Sequence, residues 1–243
     1  MTALLEVEGL TKRFGGVTAV DACSFSVPPG TITALVGPNG SGKTTAFNLI
    51  TGYTRADAGS IRFADAPVRR PDPTRLARRG LTRTFQQARI FADLTLVENM
   101  VAALQQPWQS AFRRAVRPLE ATRALSLLEE FGLSTLAQER AGNLSYGQKK
   151  LLEFATVLMG EPRLVLLDEP TAGVNPVLVK QIEERITNLK ARGLTFLVVE
   201  HNMNLVMRLC DPVVVLDHGT KLAEGTPDEV RNDPRVLDAY LGG

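Results

Sequence analysis

The chain has 243 residues, of which 44% are hydrophobic and 22% are charged, and its formal net charge at pH 7 is +2. This composition excludes a disordered or collagen-like chain, and a net charge so near zero gives no general attraction to nucleic acid or anionic lipid. No apolar run approaches the ~18 residues of a membrane span, no secretion signal is visible, and Cys23 and Cys210 match no metal-binding spacing. We therefore expect a soluble, intracellular protein with two buried thiols.

The first part of the chain predicts β structure. Residues 4–8 and 24–27 alternate between apolar and polar side chains, as half-buried strands do. Residues 31–36 form an apolar run that predicts a buried strand leading into a glycine-rich loop. A short helix is predicted over residues 44–50 and a further strand over residues 60–63. We expect an N-terminal antiparallel β region beside the strand that precedes the loop.

The chain changes character between about residues 87 and 159, where strand signals are sparse. Residues 97–104 and 121–131 carry apolar side chains at helical spacing, and a third helix is predicted over residues 147–159. We interpret this region as a helical subdomain inserted into a nucleotide-binding core formed by residues 1–86 and 160–243. The whole chain is predicted to form a single domain.

Strands and helices alternate again after residue 160. The apolar runs at residues 164–167, 194–199 and 213–216 predict buried strands, and residues 176–190 and 202–209 predict helices. Uninterrupted apolar strands that alternate with helices are typical of a mostly parallel sheet with helices on both faces. The predicted fold class is therefore α/β.

Six arginines fall in one short stretch between the predicted strand at residues 60–63 and the helical region. They are Arg69, Arg70, Arg75, Arg78, Arg79 and Arg83. A run of this kind is typical of a solvated face, which is the favoured interpretation. The alternative is a patch that binds an acidic partner.

The strongest motif is the glycine-rich loop itself. It reads Gly37, Pro38, Asn39, Gly40, Ser41, Gly42, Lys43 and Thr44, which fits the pattern G-x-x-x-x-G-K-[ST] between a strand and a helix. Glycines let backbone N–H groups turn inward around phosphate oxygens, and the helix that follows places its positive dipole end there. Lys43 can neutralise the β- and γ-phosphates, and the Thr44 hydroxyl can bind Mg²⁺. The motif predicts a P-loop NTPase core that binds Mg-ATP through the loop and Thr45.

Acidic residues follow the apolar run at residues 164–167, where a P-loop protein needs a carboxylate. Asp168 is placed to hold Mg²⁺, and Glu169 is placed to act as the general base for attack on the γ-phosphate. His201 follows the next apolar run in the same sense, which predicts that it lies at the same edge of the sheet. It could orient the γ-phosphate by a hydrogen bond, and an ordinary surface histidine is the alternative.

A second helix start has the sequence Leu144, Ser145, Tyr146, Gly147, Gln148. Ser145 and Gln148 are spaced as a capping box, in which each side chain satisfies a backbone N–H group of the other. A helix start that carries a small hydroxyl is also a candidate anion site. The residues alone leave both interpretations open.

In order and spacing, these motifs resemble the ATP-binding subunits of ABC transporters along essentially the whole chain. The resemblance includes the phosphate loop, Gln86 after a strand, the Leu-Ser-x-Gly-Gln signature at residues 144–148, the acids at residues 168–169, and His201. In that family, the signature of one subunit contacts the γ-phosphate held by the phosphate loop of the other. Two ATP molecules are thus sandwiched in a head-to-tail dimer, and His201 matches the γ-phosphate switch. The resemblance implies ATP and Mg²⁺ as cofactors and ATP hydrolysis as the activity.

The resemblance also implies roles for single residues near the phosphate loop. Phe14 matches the aromatic residue that stacks on adenine, and Asp168 and Glu169 match the Mg²⁺ carboxylate and the catalytic base. Gln86 matches the residue that senses Mg²⁺ and the attacking water. Gln87 follows directly, and the pairing of the glutamine with a preceding phenylalanine favours Gln86.

Two departures from the common family pattern narrow the resemblance. Tyr146 stands where the commonest signature has glycine, and this change does not remove the contacts of Ser145 or Gly147. Asn175 stands where aspartate is usual. Both departures, together with residues 199–203 and 232–241, are similar to ATP-binding subunits of branched-chain amino acid importers. Urea and amide importers and the ATPase of the lipopolysaccharide exporter are the alternatives.

The resemblance further implies partners and a location. The partners are a second ATP-binding subunit, identical or related, and integral membrane permease subunits, with a solute-binding protein engaged indirectly. The chain is expected at the cytoplasmic face of the inner membrane, as a peripheral protein. ABC ATPases that act on DNA or ribosomes carry long coiled coils or two cassettes, which this sequence does not show, so no nucleic acid partner is expected. A P-loop kinase or GTPase would lack the signature.

Overall fold

The computed structural model describes residues 2–85, 90–104 and 117–241. The strands in these ranges are β1 (Leu5–Phe14), β2 (Val17–Val27), β3 (Ile32–Val36), β4 (Ala58–Phe63), β5 (Ala66–Pro67), β6 (Leu81–Arg83), β7 (Leu164–Asp168), β8 (Thr195–Val199), β9 (Val213–Asp217) and β10 (Thr220–Gly225). The helices are α1 (Lys43–Thr51), α2 (Pro73–Arg78), α3 (Leu96–Ala102), α4 (Pro118–Glu130), α5 (Tyr146–Leu158), α6 (Pro176–Ala191), α7 (Met203–Leu209), α8 (Pro227–Arg231) and α9 (Pro234–Leu241). None of the helices in the described ranges is both long and apolar enough to cross a membrane.

The strands form two sheets. The central sheet has the order β10-β9-β3-β8-β7-β6, in which β9, β3, β8, β7 and β6 are parallel and β10 runs antiparallel to β9. The second sheet is antiparallel, with the order β2-β1-β4-β5. Every residue of β3, β7 and β8 is buried, as expected for parallel strands covered on both faces. The predicted α/β class with an N-terminal antiparallel region is confirmed.

Two hydrophobic clusters cover the faces of the central sheet. One contains Phe47 and Ile50 of α1 together with Leu5 of β1 and Phe63 of β4, so α1 and the antiparallel sheet lie on the same side. The other contains residues of helices α3 to α8 together with alternate residues of the central strands, such as Phe196 of β8. The strand ends that emerge between these layers are therefore held rigidly by packing on both sides.

The helices between β6 and β7 share one hydrophobic core with the sheet. Phe131, which follows α4, packs edge-to-face on Phe154 of α5 with ring centroids 5.2 Å apart, and Phe154 packs in the same way on Phe196 with centroids 6.4 Å apart. Aromatic pairs prefer this geometry because the positive edge of one ring meets the negative face of the other. The chain of rings packs the second half of α5 against the beginning of β8.

The structure extends the predicted elements at both ends of the chain. β1 and β2 are longer than the predicted runs at residues 4–8 and 24–27, because register shifts interrupt their alternation. At two of the interrupted positions, Gly9 and Ala22, the backbone has a positive φ of 57° and 45°. The edge strand β10 and the short helices α8 and α9 were not predicted. The helices predicted over residues 97–104, 121–131 and 147–159 are confirmed as α3, α4 and α5 within a few residues.

Candidate functional site

The carboxyl ends of β3, β7 and β8 lie side by side at one edge of the central sheet. β3 leads into the loop at residues 37–42, β7 ends in Asp168 and is followed by Glu169, and β8 is followed by Glu200 and His201. The order β3-β8-β7 therefore brings together three of the segments that the sequence predicts to carry chemistry. Ligands of open α/β sheets bind at this edge.

Glycine is required in the loop after β3 at two positions. Gly37 has a φ of 149°, and a Cβ atom there would lie 2.1 Å from the carbonyl oxygen of Leu216. Gly42 has a φ of 100°, and a Cβ atom there would lie 2.4 Å from the carbonyl oxygen of Ala19 in β2. Any other residue would meet both backbone strain and a clash with backbone, so the loop is pressed between β9 and β2.

The first turn of α1 has no cap from a side chain. Its N-cap is Gly42, which has no side-chain hydrogen bond, and the turn contains no acidic residue. The helix therefore presents unpaired N–H donors and its positive dipole end at the loop. Thr44 is exposed in this turn and Thr45 is half-buried. Such a helix start binds phosphate groups.

Lys43 lies over the loop with its ammonium group among oxygen atoms. Its Nζ donates to the carbonyl oxygens of Gly37 and Pro38 at 2.8 Å each and to Oγ of Ser41 at 3.3 Å. The side chain is buried, and this burial lowers the pKa of Lys43, while the negative charge of Glu169 acts in the opposite direction. The loop lysine and Glu169 therefore share one electrostatic environment.

Glu169 and His201 form a direct pair at the same edge. Nε2 of His201 lies 2.8 Å from Oε1 of Glu169, so the two side chains share a hydrogen bond. Glu169 has a φ of 48°, which is unusual for a residue with a side chain, and its N–H donates to the carbonyl oxygen of Val199 at 2.9 Å. Strain of this kind persists where the surrounding structure holds a residue in place. The structure thus brings together the two residues that the sequence placed at different strands.

Asp168 is held by a buried arginine that sequence reasoning assigned to a solvated face. Nη2 of Arg83 donates to Oδ2 of Asp168 at 2.6 Å, and both side chains are at most 9% exposed. The prediction of a solvated face is therefore wrong for Arg83. A charge is buried where a counter-charge is close, and Arg83 in β6 lies beside β7, which ends at Asp168. Arg69, Arg70, Arg75 and Arg78 are exposed, which agrees with the prediction, and Arg79 is half-buried.

A second buried carboxylate, Glu200, has no role in the sequence prediction. Its Oε1 accepts from the N–H of Thr171 at 3.0 Å and from Oγ1 of Thr171 at 2.6 Å, and its Oε2 accepts from the N–H of His201 at 3.1 Å. Glu200 therefore ties the segment after Glu169 to the segment that carries His201. The available signal was an acidic residue that directly follows the apolar run of β8.

The helix α5 reaches the site through two further residues that sequence reasoning missed. Oε1 of Glu153 accepts from the N–H of Phe85 at 3.0 Å, and Nζ of Lys150 donates to the carbonyl oxygen of Phe85 at 3.4 Å. Burial lowers the pKa of Lys150, and the nearby carboxylates, Glu153 first among them, act in the opposite direction. These two side chains hold the residue that precedes Gln86. No sequence signal distinguishes them from ordinary helix positions.

The start of α5 is a capping box, as one of the two interpretations of the sequence had it. Oγ of Ser145 accepts from the N–H of Gln148 at 3.3 Å, and Oε1 of Gln148 accepts from the N–H of Ser145 at 2.9 Å. A Cβ atom at Gly147 would lie 2.5 Å from Cδ2 of Leu178, so glycine lets α5 approach α6 closely. Tyr146 is half exposed, and its hydroxyl donates to the carbonyl oxygen of Ala172 at 3.3 Å.

Phe14 lies at the end of β1, with 51% of its side chain exposed. It pairs with Val17 in the hairpin with β2, and Ala19, two residues further along β2, lies against Gly42 of the loop. The exposed ring is thus carried by the same strand pair that contacts the loop. The predicted Gln86, and Gln87 beside it, lie outside the described residues.

Comparisons with known proteins agree with this arrangement. The family profile described as ABC transporter matches residues 20–172, and a second profile, described as branched-chain amino acid ATP-binding cassette transporter, matches residues 220–243. The chain is 40% identical to the high-affinity branched-chain amino acid transport ATP-binding protein LivG of Escherichia coli (strain K12), with 98% of each chain covered. It is also 40% identical to BraF of Pseudomonas aeruginosa and 37% identical to the probable LivG of Methanocaldococcus jannaschii, with 98% of this chain covered in each case and 98% and 97%, respectively, of the relative.

Solved structures show the same fold over the full chain. A nucleotide-free ATP-binding cassette from an ABC transporter is 35% identical with a TM-score of 0.89, and the ADP conformation of such a cassette is 35% identical with a TM-score of 0.90. Each comparison covers 100% of both chains. The chain therefore belongs to the ABC transporter family, as an ATP-binding cassette with ATPase function. Within that family, its similarity is to the ATP-binding proteins of branched-chain amino acid transport.

Proposed function

We propose that this chain is the ATP-hydrolysing subunit that powers an importer of branched-chain amino acids. The support is the identity of 40% over 98% of the chain to proteins named for that transport, and the profile of the same name at residues 220–243. The subunit works as a peripheral protein at the cytoplasmic face of the inner membrane. There it meets integral membrane permease subunits, and it engages a solute-binding protein only through them.

The nucleotide binds at the loop between β3 and α1. The uncapped start of α1 and the ammonium of Lys43 supply the positive potential that the β- and γ-phosphates need. Because the carbonyl oxygens around Lys43 are weaker acceptors than phosphate, the ammonium can turn towards the phosphates when they arrive. Phe14 offers an exposed ring face on which adenine can stack.

The residues present also fit Mg²⁺, which prefers oxygen ligands. Thr44 exposes a hydroxyl in the first turn of α1, and Asp168 offers the carboxylate oxygen Oδ1, because its hydrogen bond with Arg83 uses Oδ2. Arg83 also donates to Asn48 of α1, so Asp168 is held beside the helix that carries Thr44. Gln86 is proposed as a third ligand. A bound Mg²⁺ would neutralise charge on the β- and γ-phosphates.

Hydrolysis uses the pair formed by Glu169 and His201. The 2.8 Å contact between Nε2 of His201 and Oε1 of Glu169, at the edge that also holds Lys43, is the observation that carries this mechanism. Glu169 accepts the proton of the attacking water, and His201 orients Glu169 before the nucleotide is bound. Because a neutral imidazole has one N–H to donate, this N–H would pass from Glu169 to the γ-phosphate when ATP binds. Lys43 stabilises the negative charge that develops on the transferred phosphoryl oxygens.

The site is completed by a second ATP-binding subunit, identical or related, in a head-to-tail dimer. Ser145 and Gly147 begin α5, and the hydroxyl of Ser145 accepts from Gln148, so its own O–H remains available to donate to a phosphate. In this arrangement, Ser145, Gly147 and Gln148 of one subunit face the γ-phosphate bound by the other.

The experiment that tests the mechanism is Glu169→Gln. The amide keeps the shape and hydrogen-bonding reach of the side chain but cannot accept the proton of water, so phosphate release should fall by about 100-fold or more while ATP affinity persists. Glu184→Gln, an exposed position of α6, is the matched control and should release phosphate like the wild type. Full activity of Glu169→Gln would remove Glu169 from the mechanism.

A further inference from the structure

Arg83 lies in a cage of aromatic rings between α1 and the central sheet. Its guanidinium carbon is 5.4 Å from the ring centroid of Phe47, 5.9 Å from that of Tyr53 and 5.3 Å from that of Phe85. Guanidinium groups are attracted to the faces of such rings, and three rings restrict the group to one place. The cage therefore fixes the position of the positive charge.

The polar contacts of Arg83 join three elements. Nη1 donates to Oδ1 of Asn48 at 2.7 Å and to Oγ1 of Thr51 at 3.3 Å, both in α1. Nη2 donates to Oδ2 of Asp168 at 2.6 Å, at the end of β7. One planar side chain of β6 therefore connects the carboxylate of Asp168 to the helix that begins at the phosphate loop, a task that the fork of arginine can perform and the single ammonium of lysine cannot.

This arrangement does not resemble one that serves stability alone. Nε of Arg83 is buried and has no hydrogen-bond partner among the described residues, which is costly. Removing two charges from water also costs free energy, and an apolar pair of similar volume is often as stable as a buried ion pair. A buried arginine with an unsatisfied donor, placed on the carboxylate of a nucleotide site, therefore points to function.

We propose that Arg83 is a positioning residue for Asp168 and so for the metal ion that Asp168 binds. This inference rests on the proposed binding of Mg²⁺ at Asp168. By occupying Oδ2, Arg83 fixes the carboxylate against α1 and leaves Oδ1 for the metal. Residues that orient a metal ligand from behind commonly determine how tightly the metal is held.

The side chain of Arg83 also connects the carboxylate of Asp168 to helix α5. Phe85 forms one wall of the cage around Arg83, and the backbone of Phe85 is held on both sides by Glu153 and Lys150 of α5. A displacement of α5 would therefore shift a wall of the cage.

The test compares ATP affinity with and without metal in the variant Arg83→Lys. Lysine keeps the charge but cannot bond Asn48 and Asp168 together, so the gain in ATP affinity on replacing EDTA with Mg²⁺ should fall about 10-fold or more. The affinity in EDTA should stay within about twofold of the wild type, because it depends on the phosphate loop. Titration calorimetry measures both affinities without requiring turnover.

Arg79→Lys is the matched control. Arg79 also stacks on a ring, that of Phe63 at 5.6 Å, and donates to the carbonyl oxygens of Phe63 and Ala66, but it does not contact Asp168. It should keep the full gain from Mg²⁺ even if its melting temperature falls as much as that of Arg83→Lys. A gain from Mg²⁺ in Arg83→Lys equal to that of the wild type would overturn the proposal, and so would an equal loss of affinity with and without metal.

Asp168→Asn separates this inference from the metal site on which it rests. If Asp168 holds Mg²⁺, the gain in ATP affinity on replacing EDTA with Mg²⁺ should be lost in this variant. A gain that persists in Asp168→Asn would overturn the metal assignment and the inference with it. A gain lost in Asp168→Asn but unchanged in Arg83→Lys would overturn the inference alone.

Discussion

Two helix starts in this protein are candidates for binding phosphate, and they are built differently. α1 begins after Gly42 with no side-chain cap, and Lys43 lies in its first turn. α5 begins after Ser145 in a complete capping box with Gln148. The first start thus leaves its N–H donors for an external anion, whereas the second already satisfies two of them within the chain. The two starts should therefore contribute unequally when the chain is alone.

The difference indicates that the two helix starts contribute to different steps, α1 to nucleotide binding and α5 to turnover. The start of α1 can hold a nucleotide by itself, because it combines backbone donors, a helix dipole and an ammonium group. The start of α5 offers the hydroxyl proton of Ser145 and fewer backbone donors than α1, without an ammonium group like that of Lys43, so we expect it to bind no nucleotide without a second surface. Its contribution is expected only where another subunit presents a phosphate already bound. Substitutions at the two starts should separate binding from turnover.

Lys43→Ala should have the largest effect on binding. It removes the buried ammonium that we propose binds the phosphates, so ATP affinity of the isolated chain should fall by about 100-fold or more, equivalent to about 2.8 kcal/mol. Titration calorimetry measures this affinity, and circular dichroism checks that the fold is intact. Unchanged affinity would show that the loop is not the nucleotide site.

Phe14→Ala should have an intermediate effect, since the ring recognises the face of a base and not its hydrogen-bonding edge. ATP and GTP should both bind more weakly, by about 1–3 kcal/mol, if stacking here is like that on other aromatic platforms. Fluorescent-nucleotide competition provides both constants. A large change in the preference for ATP over GTP would contradict stacking as the mode of recognition.

Ser145→Ala should have the smallest effect on ATP affinity of the isolated chain, within about twofold. It removes an N-cap, so the free energy of unfolding should fall by about 0.5–2 kcal/mol. Thr226→Ala is the matched control, because Thr226 and Glu229 form the same capping box at α8. Both variants should lose similar stability in urea melts, but only Ser145→Ala should lose phosphate release. Equal activity of the two variants would leave Ser145 a structural cap only.

The sequence predicted the parts of this site that depend on local pattern. The phosphate loop, the acids at the end of β7 and the histidine after β8 each follow an apolar strand, and the parallel order of the strands gathers them at one edge. The capping box at Ser145 follows likewise from residues three positions apart. Each of these features requires only neighbours in the chain to be recognised.

The rest of the site depends on pairs that are distant in sequence. The sequence pattern places Arg83 among six arginines on a solvated face, because its partner, Asp168, comes much later in the chain. Glu200 accepts from Thr171, and Lys150 donates to Phe85, in the same long-range manner. Charge and spacing within a short window carry no information about such partners. The packing of the sheet and its helices decides these partners.

The central claim is that the phosphate loop of one subunit and the start of α5 of another form one site. The mass of Glu169→Gln in solution with ATP tests this claim most directly. The slow hydrolysis of this variant should preserve the sandwich, and light scattering should give about twice the 26.4 kDa of one chain. Adding Ser145→Arg should return the mass to that of one chain while ATP stays bound at the loop. A double variant that dimerises as well as Glu169→Gln would contradict the claim. Glu169→Gln that binds ATP and remains a single chain would contradict it for two identical chains.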